Sequence, residues 1–281
     1  MITADLLGAF SALAASISWG GGDFSGGFAS RRLHPFQVLT LSAAIGVIPL
    51  IVLLIFVEEG LPSLRAILLA GAAGVAGTLG LAAFYRGLVE GRSAVVAPVA
   101  SVIGAMIPVL VGMAQAGFPT FQRLAGFAIG LIGIWLVTQE QPIGGVSGKP
   151  GLRSAVLAGL GFGGFLTLIA QVGPNELYGP LIASKMSGLV LSWIWLWRMG
   201  LPVPGVRANP VAGLAGLLDT AGNIFYLLSA HLTRLDIAAA LSSLYPAGTV
   251  LLAWLLLKER ISPRQWLGVM AALAAIVLIT V

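Results

Sequence analysis

The chain offers water almost no surface: only 9% of its 281 residues are charged and its mean hydropathy is +1.00, against about 25% charged in an ordinary soluble domain. Apolar stretches of about 20 residues, the length that crosses roughly 30 Å of hydrocarbon, follow one another from end to end. Ten spans are expected, at 6–28, 35–57, 64–87, 93–115, 120–138, 152–171, 178–198, 209–231, 236–256 and 264–281. The breaks join Gly or Pro to polar or charged residues, as in Glu58-Glu59-Gly60-Leu61-Pro62 and Arg31-Arg32-Leu33-His34-Pro35, which is how helix ends read in a sequence. The first span has no basic residues ahead of it and reads as a retained helix rather than a signal peptide. A soluble enzyme, a nucleic-acid binder and a disordered tail are excluded. The basic residues that give a pI of about 10.1 sit singly between apolar runs, as membrane-edge charges rather than a nucleic-acid patch. The sequence contains no Cys, which removes disulfides and thiolate metal sites. It has no Walker loop, dinucleotide fingerprint or His-Glu-x-x-His motif. No cofactor, metal or ATPase subunit is expected.

Sliding the chain by 142 residues aligns Gly74 to Gln139 with Gly216 to Val281 without a gap. Gly74 meets Gly216, Thr78 meets Thr220, Gly80 meets Gly222, Arg92 meets Arg234 and Ser101 meets Ser243, and the helix breaks coincide. The chain divides into a first repeat at 1–139, a Gly-rich linker at 140–150 and a second repeat at 151–281. Five spans per repeat is an odd number, so the second repeat enters the membrane upside down. Inverted repeats of this kind build central sites that open alternately to each side. By the Lys/Arg bias of short loops, one face holds all the basic residues except Arg65, Arg123, Arg234 and, inside span 7, Lys185. That bias puts both termini outside the cytoplasm.

Polar residues within the spans are the candidates for function. Asp219 lies near the middle of span 8, where a charge costs about 2.5 to 3.5 kcal/mol on insertion scales. Asn223 and Tyr226 follow at i+4 and i+7, on the same helix face. A carboxylate, an amide and a phenol together can bind an ammonium group, and a desolvated Asp219 can also carry a proton. The alternative is a packing contact to a neighbouring helix. Lys185 could hold a substrate carboxylate, pair with Asp219, or snorkel. Asp23, close in sequence to Arg31 and Arg32, reads as a structural ion pair or cap. Trp19, Tyr85 and Ser243 are further candidates for the cavity wall, with Thr78, Phe162 and Gln171 behind them. Ser242-Ser243-Leu244-Tyr245-Pro246 sets hydroxyls beside a helix-breaking proline, and Pro98 and Pro108 offer similar points in span 4. Gly22-x-x-x-Gly26, Gly126-x-x-x-Gly130 and Gly159-x-x-x-Gly163 allow close helix approach, within one chain or between two.

The stretch from Trp19 to Arg32, the run Gly216-Leu217-Leu218-Asp219-Thr220-Ala221-Gly222-Asn223-Ile224-Phe225-Tyr226, the Leu241-to-Pro246 stretch and Leu257-Lys258-Glu259-Arg260 resemble the drug/metabolite transporter superfamily, in particular its bacterial EamA-type members. The resemblance implies an all-α integral membrane fold, ten transmembrane helices in two inverted five-helix repeats around a central cavity. It also implies a secondary transporter in the bacterial inner membrane, exporting a small metabolite, with amino acids or related amines favoured. The position of Lys185 is often basic in that family. The first half departs from the family pattern, since Gly117 stands where the second half has Glu259. The Lys258-Glu259-Arg260 corner reads as an interfacial ion-pair cluster orienting spans 9 and 10. Eukaryotic relatives generally keep both termini in the cytoplasm, against the Lys/Arg bias. A flippase for a lipid-linked headgroup and a membrane-embedded enzyme are the alternatives, the latter lacking a paired acidic metal-diphosphate motif.

Overall fold

A computed structural model describes residues 4–57, 59–116, 121–138, 151–173, 176–233, 238 and 241–280. Among them are ten α-helices: α1 (Ala4–Ala29), α2 (Pro35–Val57), α3 (Leu64–Glu90), α4 (Ser93–Ala116), α5 (Phe121–Thr138), α6 (Leu152–Ile169), α7 (Tyr178–Met199), α8 (Pro210–Leu232), α9 (Tyr245–Leu256) and α10 (Pro263–Thr280), with a 3₁₀ turn at Val206–Ala208. At 1.5 Å per residue, the 23 residues of α2 reach about 35 Å, enough to cross the hydrocarbon layer. The expected linker at 140–150, the Gly117-Phe118-Pro119 break and the Arg234-to-Asp236 break lie outside the described residues.

Local chemistry sets the helix limits. α3 begins where Ser63 Oγ accepts from the Ala66 N–H at 3.2 Å, the side-chain cap that a helix start favours. It runs past the expected residue 87 to Glu90. Arg86 Nε donates to Glu90 Oε1 at 2.5 Å one turn on, and the Gly91 N–H closes on the Gly87 carbonyl at 2.7 Å. The ninth span differs from its expected continuous helix. Ser243 and Leu244 form a turn, and α9 starts at Tyr245 with Pro246 in its first turn. Proline has no N–H to give there, so a helix begins at it more easily than it passes through it. Pro98 and Pro108, by contrast, remain inside α4.

Small residues fill much of the interior while many large apolar side chains face outward. Ala12, Ala15, Ala70, Ala73, Ala100 and Ala158 are fully buried, whereas Ile17, Ile55, Phe56 and Trp197 are 71 to 79% exposed. Lipid tails solvate large apolar side chains as well as a core would, so the interior goes to small residues that let backbones approach. Trp193, Trp195 and Trp197 project from the last turns of α7 beside Arg198, where amphipathic rings favour the interface.

Helix contacts obey a pseudo-twofold symmetry. α1 packs on α8 as α6 packs on α3, α2 on α8 as α7 on α3, and α4 on α6 as α9 on α1. Individual contacts repeat with the 142-residue offset. Gly216 lies against the backbone of Ser42, and its equivalent Gly74 against the backbone of Ser184, the equivalent of Ser42. Gly46 abuts Thr220 and Gly188 abuts Thr78. Gly130 faces Ala275 while Gly133 faces Ala272, which are again equivalent pairs exchanged. On the pseudo-axis itself, Ser101 Oγ donates to the carbonyl of its own equivalent, Ser243, at 3.0 Å. A residue touching its partner's counterpart in this reciprocal way is the mark of a twofold interface. The two five-helix halves are therefore inverted copies packed face to face, with α5 and α10 paired away from the centre.

Candidate functional site

Between the halves lies a cavity of about 100 Å³, several times the roughly 10–15 Å³ that one water requires. Its wall takes Trp19 and Asp23 from α1, Leu39, Ser42 and Ala43 from α2, Gly74, Gly77, Thr78, Leu81 and Tyr85 from α3, Phe162, Phe165 and Leu166 from α6, Ser184, Lys185 and Gly188 from α7, Asp219 and Asn223 from α8, and Ser243 and Tyr245 at the start of α9. Among the described residues, none from α5 or α10 lines it. The glycines of α1 make this wall thin. A Cβ at Gly20 would sit 3.0 Å from the Tyr245 carbonyl, and one at Gly22 would sit 3.2 Å from the Asp219 nitrogen. Gly22-x-x-x-Gly26 thus serves packing within the chain, drawing α1 onto α8 and Tyr85.

One polar network runs across the wall. Lys185 Nζ forms an ion pair with Asp219 Oδ2, with the two side chains 10% and 19% exposed. Asn223 Nδ2 donates to the same Asp219 oxygen at 3.4 Å, and Trp19 Nε1 donates to Asn223 Oδ1 at 3.0 Å. The Trp19 ring contacts Tyr245 edge-on at 6.4 Å, and Phe162 meets Tyr245 the same way at 6.2 Å. Of the alternatives open to Lys185, this structure adopts the pairing with Asp219.

The symmetric scaffold carries its polar groups asymmetrically. Applying the repeat offset, the equivalent of Asp23 is Phe165, of Lys185 Ala43, of Asp219 Gly77 and of Asn223 Leu81. All four of these also line the cavity. Packing at these positions is satisfied by apolar residues in one half, so the charges in the other are not there to fill space.

Of the residues singled out in the sequence, Trp19, Tyr85, Lys185, Asp219, Asn223 and Ser243 line the cavity, with Thr78 and Phe162. Tyr226 does not. It is 2% exposed and lies behind Trp19, ring centroids 5.5 Å apart, in an apolar cluster with Ala15, Leu50 and Leu227. Its i+7 position shares the helix face of Asp219, but the indole of Trp19 stands between that part of the face and the cavity. Gln171 bonds instead to the Thr167 carbonyl of its own helix segment at 3.1 Å. Asp23 also differs from its expected structural pairing. Arg31 is taken by Glu259 at 3.7 Å, and Asp23, 7% exposed, faces the cavity. Ser42, Ser184 and Phe165 belong to the wall without having been singled out, as does Tyr245, which was named only within the 242–246 stretch. Ser184 adjoins Lys185 and Tyr245 adjoins Pro246, the available signals for two of them.

Each face of the molecule has its own ties between the halves. On one, Glu59 accepts from the Tyr178 and Gly179 N–H groups at 2.9 and 3.0 Å, while Glu176 accepts from the Ser63 N–H at 2.7 Å. On the other, Glu259 accepts from the Ser93 N–H and hydroxyl at 3.1 and 2.5 Å and pairs with Arg31, and Gln37 donates to the Pro202 carbonyl at 2.9 Å. Glu259 of the 258–260 corner thus ties to Arg31, just past α1, and to the start of α4 through its side chain.

A crystal structure 18% identical in sequence superposes with a TM-score of 0.64 over 98% of this chain and 95% of its own, a likeness of fold. No curated protein matches significantly. The EamA-like transporter family matches twice, over residues 6–139 and 149–281. With each half matched in turn and the halves folded as inverted copies, the chain belongs to the EamA-like transporter family.

Proposed function

We propose that this membrane transporter exports a small metabolite from the bacterial cytoplasm across the inner membrane, with amino acids and related amines the favoured class. Transport is by alternating access: the two halves rock about the pseudo-axis and expose the cavity to one side and then the other. The observation that supports this most directly is the placement of charge. Lys185, Asp219 and Asn223 project into a cavity between inverted halves, at positions whose counterparts Ala43, Gly77 and Leu81 are apolar. Charge held at this depth without a packing need marks a substrate or ion pathway. Asp219 is the coupling residue in this scheme. Its contact with Lys185 would open as substrate or a proton arrives, which ties occupancy of the cavity to the arrangement of α7 and α8.

Untargeted mass spectrometry of medium and cell extract tests this reading, with bacteria expressing wild type or Asp219→Asn at matched membrane levels. The expected result is a metabolite enriched outside only with wild type, which would also name the substrate. Equal export by both proteins would make Asp219 structural and end its coupling role.

A further inference from the structure

We infer that Asp23 is the cation-binding carboxylate of the cavity, and that it selects a monocationic amine over a zwitterionic amino acid. The inference rests on the transport reading and narrows its substrate class.

Among the described residues, three charged side chains line the cavity: Asp23, Lys185 and Asp219. Lys185 and Asp219 compensate each other in their ion pair. Asp23 is 7% exposed, and among the described residues no ion pair or hydrogen bond reaches its carboxylate. Arg31, the cation nearest in sequence and just beyond the end of α1, is engaged with Glu259. An isolated carboxylate removed from water is relieved by taking up a proton or a cation. Its position makes the cation available from the cavity only. Asp219 on α8 and Tyr85 on α3 lie within electrostatic range of Asp23, as does Tyr245 at the start of α9. None of these supplies positive charge.

The charge sum then decides the ligand. With Asp23 ionised, one positive and two negative groups leave a single negative charge, which one ammonium group neutralises and a zwitterion does not. Aromatic rings complete the recognition. Trp19, Tyr85, Phe162, Phe165 and Tyr245 surround the same space, and ring faces attract an ammonium that a carboxylate holds in place. Phe165 carries a second argument, because it is the repeat equivalent of Asp23. The scaffold accepts an apolar side chain there, so the carboxylate answers a requirement other than packing.

Isothermal titration calorimetry on purified full-length protein in detergent tests the inference with three probes sharing one phenyl ring: phenethylamine, phenylalanine and 3-phenylpropionate. Phenethylamine should bind wild type about 10- to 100-fold more tightly than the other two, the range expected for one buried charge-assisted contact. Asp23→Asn should lose about the same factor for the amine, and Asp23→Glu should retain most of it. If phenylalanine binds wild type as tightly as phenethylamine, if the amine does not bind, or if Asp23→Asn binds it unchanged, the inference is overturned. The ranking of probes on wild type needs no variant and stands even if Asp23→Asn fails to fold. The two readings fail separately. Reaction of an Asn223→Cys variant from both sides of the membrane, with no preference for the amine, would remove the cation site and leave transport. Amine selectivity in a protein whose cavity opens to one side only would do the reverse.

Discussion

Lys185 and Asp219 are each tolerable inside a membrane-embedded helix bundle because of the other. Removing one partner of a buried pair leaves an uncompensated charge and costs about 3 to 5 kcal/mol, whereas replacing both with apolar groups is often neutral. Lys185→Met alone should therefore lower the thermal unfolding midpoint in detergent more than the double variant Lys185→Met, Asp219→Leu. Equal midpoints would mean that the pair is solvated well enough to be separable. Trp19→Phe, which keeps the ring and removes the donor to Asn223, should cost about 1 kcal/mol in the same assay. At this scale the sequence was legible where insertion cost marks a residue, as it does Asp219. It was not legible where a partner comes from far along the chain. Arg31 and Arg32 made Asp23 look paired, because a sequence shows the nearby cations and hides the distant Glu259 that takes one of them. Tyr226 misled for a related reason: helix periodicity gives the face, but not the Trp19 ring that α1 lays over part of it.

The helices meet through glycine wherever a backbone must come close. Gly74 and Gly216 each face a serine backbone so tightly that any Cβ would displace it. Gly216→Val and Gly74→Val should each sharply reduce the yield of folded, monodisperse protein, since overpacking a tight contact costs about 1 to 3 kcal/mol or more. Gly205→Ala, with open space around it, should behave as wild type. If Gly216→Val were tolerated while Gly74→Val was not, the two contacts would not be equivalent. Most helix limits were legible, because Gly, Pro and charge end a helix by local chemistry. The exceptions have local causes visible only in three dimensions, such as the Arg86–Glu90 bridge that extends α3 and the turn at Ser243 that shortens α9. The repeat itself was readable through its second part, Gly74 onward, whereas α1 and α6 diverge in the residues that face the cavity.

Across the whole molecule, the twofold scaffold and the asymmetric charge answer different demands. In the proposed alternating-access scheme, symmetry gives the halves two comparable ways to pack, so a small bias can favour either, and asymmetric charge gives the cavity one chemistry whichever side it faces. The ties at the two faces would then break in turn, those of Glu59 and Glu176 on one side and those of Glu259 and Gln37 on the other. Since the chain has no Cys of its own, a Ser63→Cys, Glu176→Cys pair can be cross-linked without background. Cross-linking should arrest transport and reduction should restore it, while undiminished transport by the cross-linked protein would free that face from any part in the proposed cycle. The most direct measurement is the accessibility of a cysteine at Asn223, read with a membrane-impermeant thiol reagent applied to right-side-out and inside-out vesicles. Labelling from both sides, slowed by substrate, is the expected result; protection from both sides, with the protein folded, would contradict a central cavity that opens alternately.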